Sequence, residues 1–105
     1  MSDCILVLTT TESREQAQQI AHALVERRLA ACVNIVGPIE SVYRWKGEVE
    51  SAAEHLLVIK TAAGRFAGVC DAIRELHTYE LPECIQVSID AGSEAYLAWI
   101  ADSVR

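Results

Sequence analysis

The chain has 105 residues, of which 51% are hydrophobic and 23% charged, and its formal net charge is −6. This length suits one domain with its own core, so we expect residues 1–105 to form a single domain. The basic residues are scattered, which argues against a nucleic-acid partner or an anionic membrane surface. No apolar run is long enough to cross a bilayer, and the N-terminus lacks a signal-peptide pattern, so we expect a cytoplasmic protein.

The first elements along the chain are predicted to be a strand and a helix. Cys4 to Thr10 is a continuous apolar run rich in strand-forming residues, which is typical of a strand inside a sheet. Ser13 is followed three residues later by Gln16, a capping-box pattern that predicts a helix start. Residues then recur at helical spacing and define one stripe that faces the core. The stripe comprises Ala17, Ile20, Ala21, Leu24, Val25 and Arg28.

A long β-hairpin is predicted next. Residues alternate with a period of two from Ala31 to Trp45, which indicates one strand. Gly37-Pro38 interrupts it and predicts a kink or bulge near a sheet edge, because proline cannot donate a backbone hydrogen bond. Lys46-Gly47 fits a two-residue turn, and the returning strand runs from Glu48 to Ile59.

The second half of the chain repeats the pattern. A helix is predicted over about Ala63 to Leu76, a polar loop over His77 to Glu83, a strand over Cys84 to Ile89 and a closing helix after Ser93. The order is βαββαβ plus a terminal helix. It predicts an α+β, ferredoxin-like sandwich with an antiparallel sheet and an extended hairpin between its second and third strands.

The hairpin favours an oligomer. At about 3.3 Å per residue, the Ala31–Trp45 strand of the hairpin spans roughly 50 Å. The strands predicted at the start and the end of the sheet-forming chain are far shorter. The hairpin tip, which carries Tyr43 and Trp45, therefore overhangs the sheet and exposes an aromatic-bearing edge. Closed symmetric assembly is the usual solution, although the hairpin itself does not select two, three or four subunits.

The four cysteines are Cys4, Cys32, Cys70 and Cys84, and none forms a C-x-x-C pair. A disulfide framework is not expected in a chain without a secretory signal. Cys4 and Cys70 are instead predicted to be small buried hydrophobes.

Four sequence blocks in this order resemble the CutA family: CVNIVGPIESVYRWKGEVE from Cys32, HLLVIKT from His55, HTYELPE from His77 and YLAWI from Tyr96. The resemblance covers nearly the whole chain. It implies a homotrimer of ferredoxin-like subunits, similar in architecture to PII-type signal proteins, with a role in tolerance of copper and other divalent cations. Thr78 stands where the family usually has proline, so either a longer helix or a more mobile loop is expected there, and the orientation of His77 stays open.

The candidate metal ligands are His77, Glu80, Glu83 and Cys32. An imidazole beside carboxylates suits Cu(II), Zn(II) or Ni(II), and Cu(II) is the strongest competitor among them. Cys32 falls on the family's cysteine position, and this resemblance suggests a soft ligand for Cu(I). The alternatives are that His77 caps the preceding helix, that the glutamates are solvated charges, and that Cys32 is a buried hydrophobe.

Further residues are candidates for a cleft or interface between subunits. Tyr43 and Trp45 suit interface packing better than ligand stacking. Glu54 and Lys60 either converge with His77 on a subunit cleft or form a buried ion pair at the end of the sheet. The remaining candidates are Tyr79 and Trp99.

The family resemblance, together with these candidate ligands, implies a trimeric divalent-cation (copper) tolerance protein that binds Cu(II) and takes part in the response to metal ions. The chain lacks the phosphate-loop, dinucleotide, zinc-protease and nucleophile-elbow motifs, so it is not classed as an enzyme. One alternative is a PII-like sensor that binds a small molecule in clefts between subunits. Another is a stable trimeric module for a protein partner whose identity the sequence does not indicate.

Overall fold

The elements follow the βαββαβ order with a closing helix that the sequence predicts. The computed structural model describes residues 2–105, and Met1, the first residue of the predicted domain, lies outside the described residues. None of the helices within residues 2–105 has the length and apolar character needed to cross a membrane. The elements are β1 (Cys4–Thr11), α1 (Arg14–Glu26), β2 (Cys32–Trp45), β3 (Glu48–Ala62), a 3-10 turn (Ala63–Arg65), α2 (Phe66–Leu76), β4 (Ile85–Ser88) and α3 (Glu94–Ser103).

The strands form one antiparallel sheet in the order β2-β3-β1-β4. β1 is central, because it pairs with His55–Ala62 of β3 on one side and with β4 on the other. The β4 pairing is short and stops at Leu8 opposite Ile85. β2 is an edge strand, which explains how it accommodates a proline.

The main core lies between one face of the sheet and the helices α1 and α2. Alternate strand residues such as Val7 and Ile59 point to this face, and both are fully buried. The helices contribute apolar stripes that pack on them, with Ile20 and Ile73 also fully buried. The opposite face carries α3 at one end, where the Cys4 thiol donates a hydrogen bond to the Leu97 carbonyl at 3.6 Å.

The start of α1 is confirmed, but the predicted stripe is too long. The Ser13 hydroxyl accepts a hydrogen bond from the Gln16 N–H at 3.1 Å, as the capping pattern indicates. Val25 is 43% exposed, and Arg28 lies beyond the helix with a φ of 58°. The reason is that the chain turns after Glu26, and the Leu29 amide bonds back to the Leu24 carbonyl at 2.9 Å.

The β2–β3 hairpin has the predicted bulge and turn. The register shifts between Val36 and Ile39, at the Gly37-Pro38 bond, which is cis. Lys46 and Gly47 form the two-residue turn with φ values of 51° and 84°, the combination of a type I′ hairpin. Glu48–Glu54 of β3 lies beyond the last partner in β1, so the hairpin tip projects from the sheet.

The prediction that cysteines stay unpaired is wrong for two of them. Cys70 in α2 and Cys84 before β4 form a disulfide with their Cα atoms 6.1 Å apart. This pairing is possible because the chain returns from the end of α2 to the edge of the sheet within bridging distance. Cys4 is buried, as predicted, and Cys32 is half-buried, and both are free.

The type I′ turn generates a test by substitution. A methyl group added at Gly47 or at Gly64 meets no other atom within 4 Å, but only Gly47 has a positive φ. Gly47→Ala should therefore lower the free energy of unfolding by about 1 kcal/mol through backbone strain, as measured by denaturant titration at fixed protein concentration. Gly64→Ala is the matched control and should leave the free energy of unfolding unchanged or higher. An equal decrease of this free energy in both variants would contradict the turn assignment.

Candidate functional site

The loop between α2 and β4 carries four of the ten predicted site residues, among them three of the four predicted metal ligands. α2 ends at Leu76, and His77 takes an extended conformation with φ −78° and ψ 148°. Thr78 therefore does not lengthen the helix, even though it replaces the family's proline. Its hydroxyl donates toward the carboxylate of Glu12, at 3.2 Å, and the Gln16 side-chain oxygen, at 3.0 Å. These contacts hold the loop where proline would restrict φ.

The His77 ring fastens this loop to β1. Its Nε2 lies 2.6 Å from the Thr10 carbonyl oxygen, and its Nδ1 accepts the Tyr79 backbone N–H at 3.0 Å. A carbonyl only accepts, so Nε2 carries the hydrogen and the ring is the neutral tautomer in this arrangement. Both ring nitrogens are thus engaged within the chain. A metal ion bound at His77 would have to displace one of these bonds.

Tyr79 fastens the same loop to the hairpin. Its hydroxyl donates to the Glu54 carboxylate at 2.6 Å, and Glu54 is only 7% exposed. Burial, together with the hydrogen bond and charge of Glu54, raises the pKa of the Tyr79 phenol well above its ordinary range. The His77 and Tyr79 rings also lie against each other, with centroids 4.5 Å apart.

An open groove of about 980 Å³ lies between the loop and the hairpin. Within the described chain no lysine or arginine lines it. Partial burial and the charge of Glu54 raise the pKa of the Glu83 carboxyl, which indicates that the groove disfavours negative charge without a counter-ion. The carboxylate residues that line it are Glu12, Glu50, Glu54, Glu80 and Glu83.

Two of the five groove carboxylates, Glu12 and Glu50, were missed by the sequence reasoning. Glu50 pairs with Tyr43 across the hairpin, and the period-two spacing of Glu50, Ala52 and Glu54 was the signal that all three share one face. Glu12 follows β1 directly, and only the position of the loop brings it to the groove.

The four predicted metal ligands do not come together within one chain. Cys32 pairs with Lys60 of β3. The His77 ring contacts Thr10, whose partner Leu56 lies four residues before Lys60 in β3. That distance is roughly 13 Å. Across residues 2–105 no three His, Cys, Asp or Glu side chains converge on a position that could hold a metal ion.

The interface candidates are spread over the molecule. Glu54 and Lys60 lie on one strand roughly 20 Å apart, so they do not form, within one chain, the ion pair considered as an alternative. Their convergence with His77 across a subunit cleft stays a prediction. Lys60 instead lies over the ring of Tyr96, 5.7 Å from its centroid, at the α3 end of the sheet. Trp99 is 46% exposed on α3, while Tyr43 and Trp45 line the acidic groove.

Comparison with known proteins shows that the chain is similar to members of one protein family. The family model described as CutA1 divalent ion tolerance protein matches residues 5–103. The divalent-cation tolerance protein CutA of Thermus thermophilus is 45% identical over 98 residues, which cover 93% of this chain and 95% of that protein. The chloroplastic protein CutA of Arabidopsis thaliana is 43% identical over 96% of this chain, which spans only 56% of that protein. The crystal structure of CutA from Xylella fastidiosa superimposes with a TM-score of 0.96 at 38% identity, covering 99% of this chain and 100% of that chain.

The bond between Tyr79 and Glu54 can be tested by Tyr79→Phe. The substitution removes the hydroxyl that donates to a buried carboxylate, so the free energy of unfolding should fall by about 1–3 kcal/mol. Tyr96→Phe, at an exposed tyrosine of α3, removes the same atom and should cost much less. If denaturant titrations gave the same decrease in the free energy of unfolding for both variants, the hydrogen bond would make no contribution to stability.

The raised pKa of Glu83 predicts that removing the charge of this side chain stabilises the chain, and that the gain in stability depends on pH. Because folding raises this pKa above its ordinary value of 4.5, the protonated Glu83 carboxyl contributes fully to stability at pH values below 4.5. This contribution is lost as pH rises through the folded pKa. Glu83→Gln should therefore raise the melting temperature at pH 7 in the presence of a chelator, and should have little effect near pH 4. Glu26→Gln, on the exposed surface of α1, is the control for loss of one charge. A gain independent of pH would argue against the electrostatic cause.

Proposed function

The chain belongs to the CutA1 divalent ion tolerance family, and we propose that it binds divalent cations, Cu(II) among them, as a homotrimer that takes part in the response to metal ions. The observation that carries this proposal is the groove lined by five carboxylates and no basic side chain within residues 2–105. The cytoplasm stays the proposed location; the Arabidopsis thaliana relative is named chloroplastic.

The donor type of the groove suits a divalent cation, but no three ligands converge within residues 2–105, so a second copy of the chain is needed to complete the coordination. Carboxylate oxygens from Glu80 and Glu83, with Glu54 behind them, supply negative charge that the chain itself does not neutralise. A bound cation would relieve the repulsion between Glu54 and Glu83. Among first-row divalent ions, Cu(II) has the highest affinity for a given site of this kind.

His77 and Cys32 have different places in this proposal. His77 acts as a positioning residue, because its ring holds the loop that carries Glu80 and Glu83. Cys32 lies at the other end of the sheet and takes no part in the groove of its own chain. No catalytic step is proposed.

A second copy of the chain is proposed to complete the site. The hairpin tip exposes apolar side chains, with Val42 67% and Val49 65% exposed. Among residues 2–105, its Glu48–Glu54 segment has a strand partner only in β2. Such edges are normally covered by another subunit. Since Tyr43 and Trp45 line the groove from this hairpin, a neighbour that packs on the hairpin would also reach the groove. The number three comes from the family resemblance.

The groove does not favour the alternative of a sensor for an anionic metabolite. Phosphate and carboxylate ligands are normally bound by Lys, Arg or helix N-termini, whereas these walls carry glutamates. A partner-binding module would need no cluster of carboxylates at all.

The proposal is tested by equilibrium dialysis against a glycine-buffered Cu(II) series with the disulfide intact. Wild type should bind saturably, and Glu83→Gln should weaken binding at least about tenfold, or 1.4 kcal/mol, because one ligand charge is lost. Glu26→Gln should bind as wild type. Light scattering should give the mass of three 11.5 kDa chains.

The role of His77 is read from the electron paramagnetic resonance spectrum of bound Cu(II). An oxygen-only site in the groove shows no nitrogen coupling that depends on His77. If His77→Ala removes such a coupling, His77 is a ligand rather than a positioning residue. The metal proposal would be contradicted if wild type bound Cu(II) only weakly and without saturation, and if Glu83→Gln left that binding unchanged.

A further inference from the structure

A pair of sulfur atoms lies outside the acidic groove, on the other side of the same loop. Cys70 on α2 and Cys84 before β4 are both half-buried and are joined in the structure. Their Cα atoms are 6.1 Å apart, so the two sulfurs stay close to each other whether or not the bond is present. Two thiols that the fold holds this close form a site that neither thiol makes alone.

The pair can be reached from solvent. A depression of about 340 Å³ is lined by both cysteines together with Arg74, Tyr79, Glu80 and Pro82. A small thiol reagent or a metal ion therefore has a path to the sulfurs.

The other two cysteines lack these properties. Cys4 is 4% exposed and donates to the Leu97 carbonyl, and burial, with a smaller effect from the charge of Asp3, raises the pKa of its thiol. Cys32 lies in β2, at the register of Lys60, with a single thiol whose nearest polar partner is Asn34. They serve as internal controls, because they share the chain but not the pairing.

We propose that Cys70 and Cys84 are a reversible dithiol–disulfide pair whose reduced form binds one soft monovalent metal ion, Cu(I) or Ag(I), between two thiolates. Soft thiolate ligands select Cu(I), whereas the carboxylates of the groove suit divalent ions. The site is separate from the groove and does not depend on the proposed function.

The chemistry uses a dithiol reductant. Its thiolate attacks one sulfur of the pair, the Cys70–Cys84 bond breaks, and the second thiol of the reductant closes its own disulfide, leaving two protein thiols. Metal binding then releases two protons, one from each thiol, and forms two sulfur–metal bonds to one monovalent ion. Closing the disulfide again needs a disulfide oxidant such as glutathione disulfide, which is reduced to two thiols while the Cys70–Cys84 bond forms. This removes both ligands and releases the metal ion.

The first measurement counts thiols. After oxidation with glutathione disulfide and unfolding, the chain should show two thiols, from Cys4 and Cys32, and after reduction it should show four. Mass spectrometry of the peptides should find the bond between Cys70 and Cys84. A chain that cannot form this bond would overturn the proposal.

The second measurement is anaerobic titration of Cu(I) in competition with a chromophoric bidentate chelator. The reduced wild-type chain should take up one Cu(I) tightly, and both the oxidised wild type and reduced Cys84→Ser should bind at least about tenfold more weakly. Reduced Cys32→Ser is the matched control and should bind as wild type. The oxidised wild type has the native sequence, so the comparison holds even if Cys84→Ser does not fold.

Two outcomes would contradict the second site. One is equal Cu(I) affinity in the oxidised and reduced chain, and the other is loss of binding in Cys32→Ser but not in Cys84→Ser. Neither outcome affects the Cu(II) dialysis, which is done with the disulfide closed and measures the binding of Cu(II) by the groove glutamates. Failure of one proposal is therefore distinguishable from failure of the other.

Discussion

The unequal lengths of neighbouring strands determine the shape of this molecule. β1 has 8 residues, whereas β2 has 14 and β3 has 15. β1 therefore pairs with only the His55–Ala62 part of β3. Within the described residues, the rest of the hairpin extends past the sheet with strand neighbours on one side only. The projecting part forms one wall of the acidic groove and exposes the apolar surface that an oligomer would cover. Shortening the hairpin to match β1 would remove the groove and the exposed edge together.

The loop opposite the hairpin is held by contacts that are remote in sequence. His77 bonds to Thr10, Tyr79 bonds to Glu54, and the disulfide joins Cys70 to Cys84 across the base of the loop. The loop thus has a defined shape although it forms no regular secondary structure. This explains how the chain tolerates Thr78 in place of proline, because several tertiary contacts replace one backbone restraint.

The sequence was a good guide to the fold because its signals are local. The period-two pattern of β2, the capping residue Ser13 and the Lys46-Gly47 turn each act within a few residues, and each appears as predicted. The end of α1 was less well predicted, since Val25 continues the helical spacing but the chain has already begun to turn at Arg28. Spacing alone does not reveal where a helix stops facing the core.

The site was predicted only in part, because its geometry depends on long-range contacts. The sequence named the loop residues and Glu54 as candidates, and the structure places them along one groove, but nothing local indicates that Tyr79 bonds to a glutamate 25 positions away. For the same reason, the ring nitrogens of His77 looked available for a metal, and Cys32 was grouped with ligands that lie at the other end of the sheet. The disulfide was missed because each cysteine, taken alone, fits a buried hydrophobe.

The distribution of charge connects the two proposed metal sites. The ion pairs in the described part of the chain lie on the helices and at the C-terminus, between Arg27 and Glu75, Arg74 and Asp71, and Arg105 and Asp102. The groove keeps its carboxylates without such partners, at a cost in stability that the raised pKa of Glu83 reflects. Tyr79 and Glu80 line both the groove and the depression beside the two cysteines. The loop therefore separates a groove lined by carboxylates from a depression lined by two sulfurs, and under the two proposals the two oxidation states of copper would favour opposite sides of it.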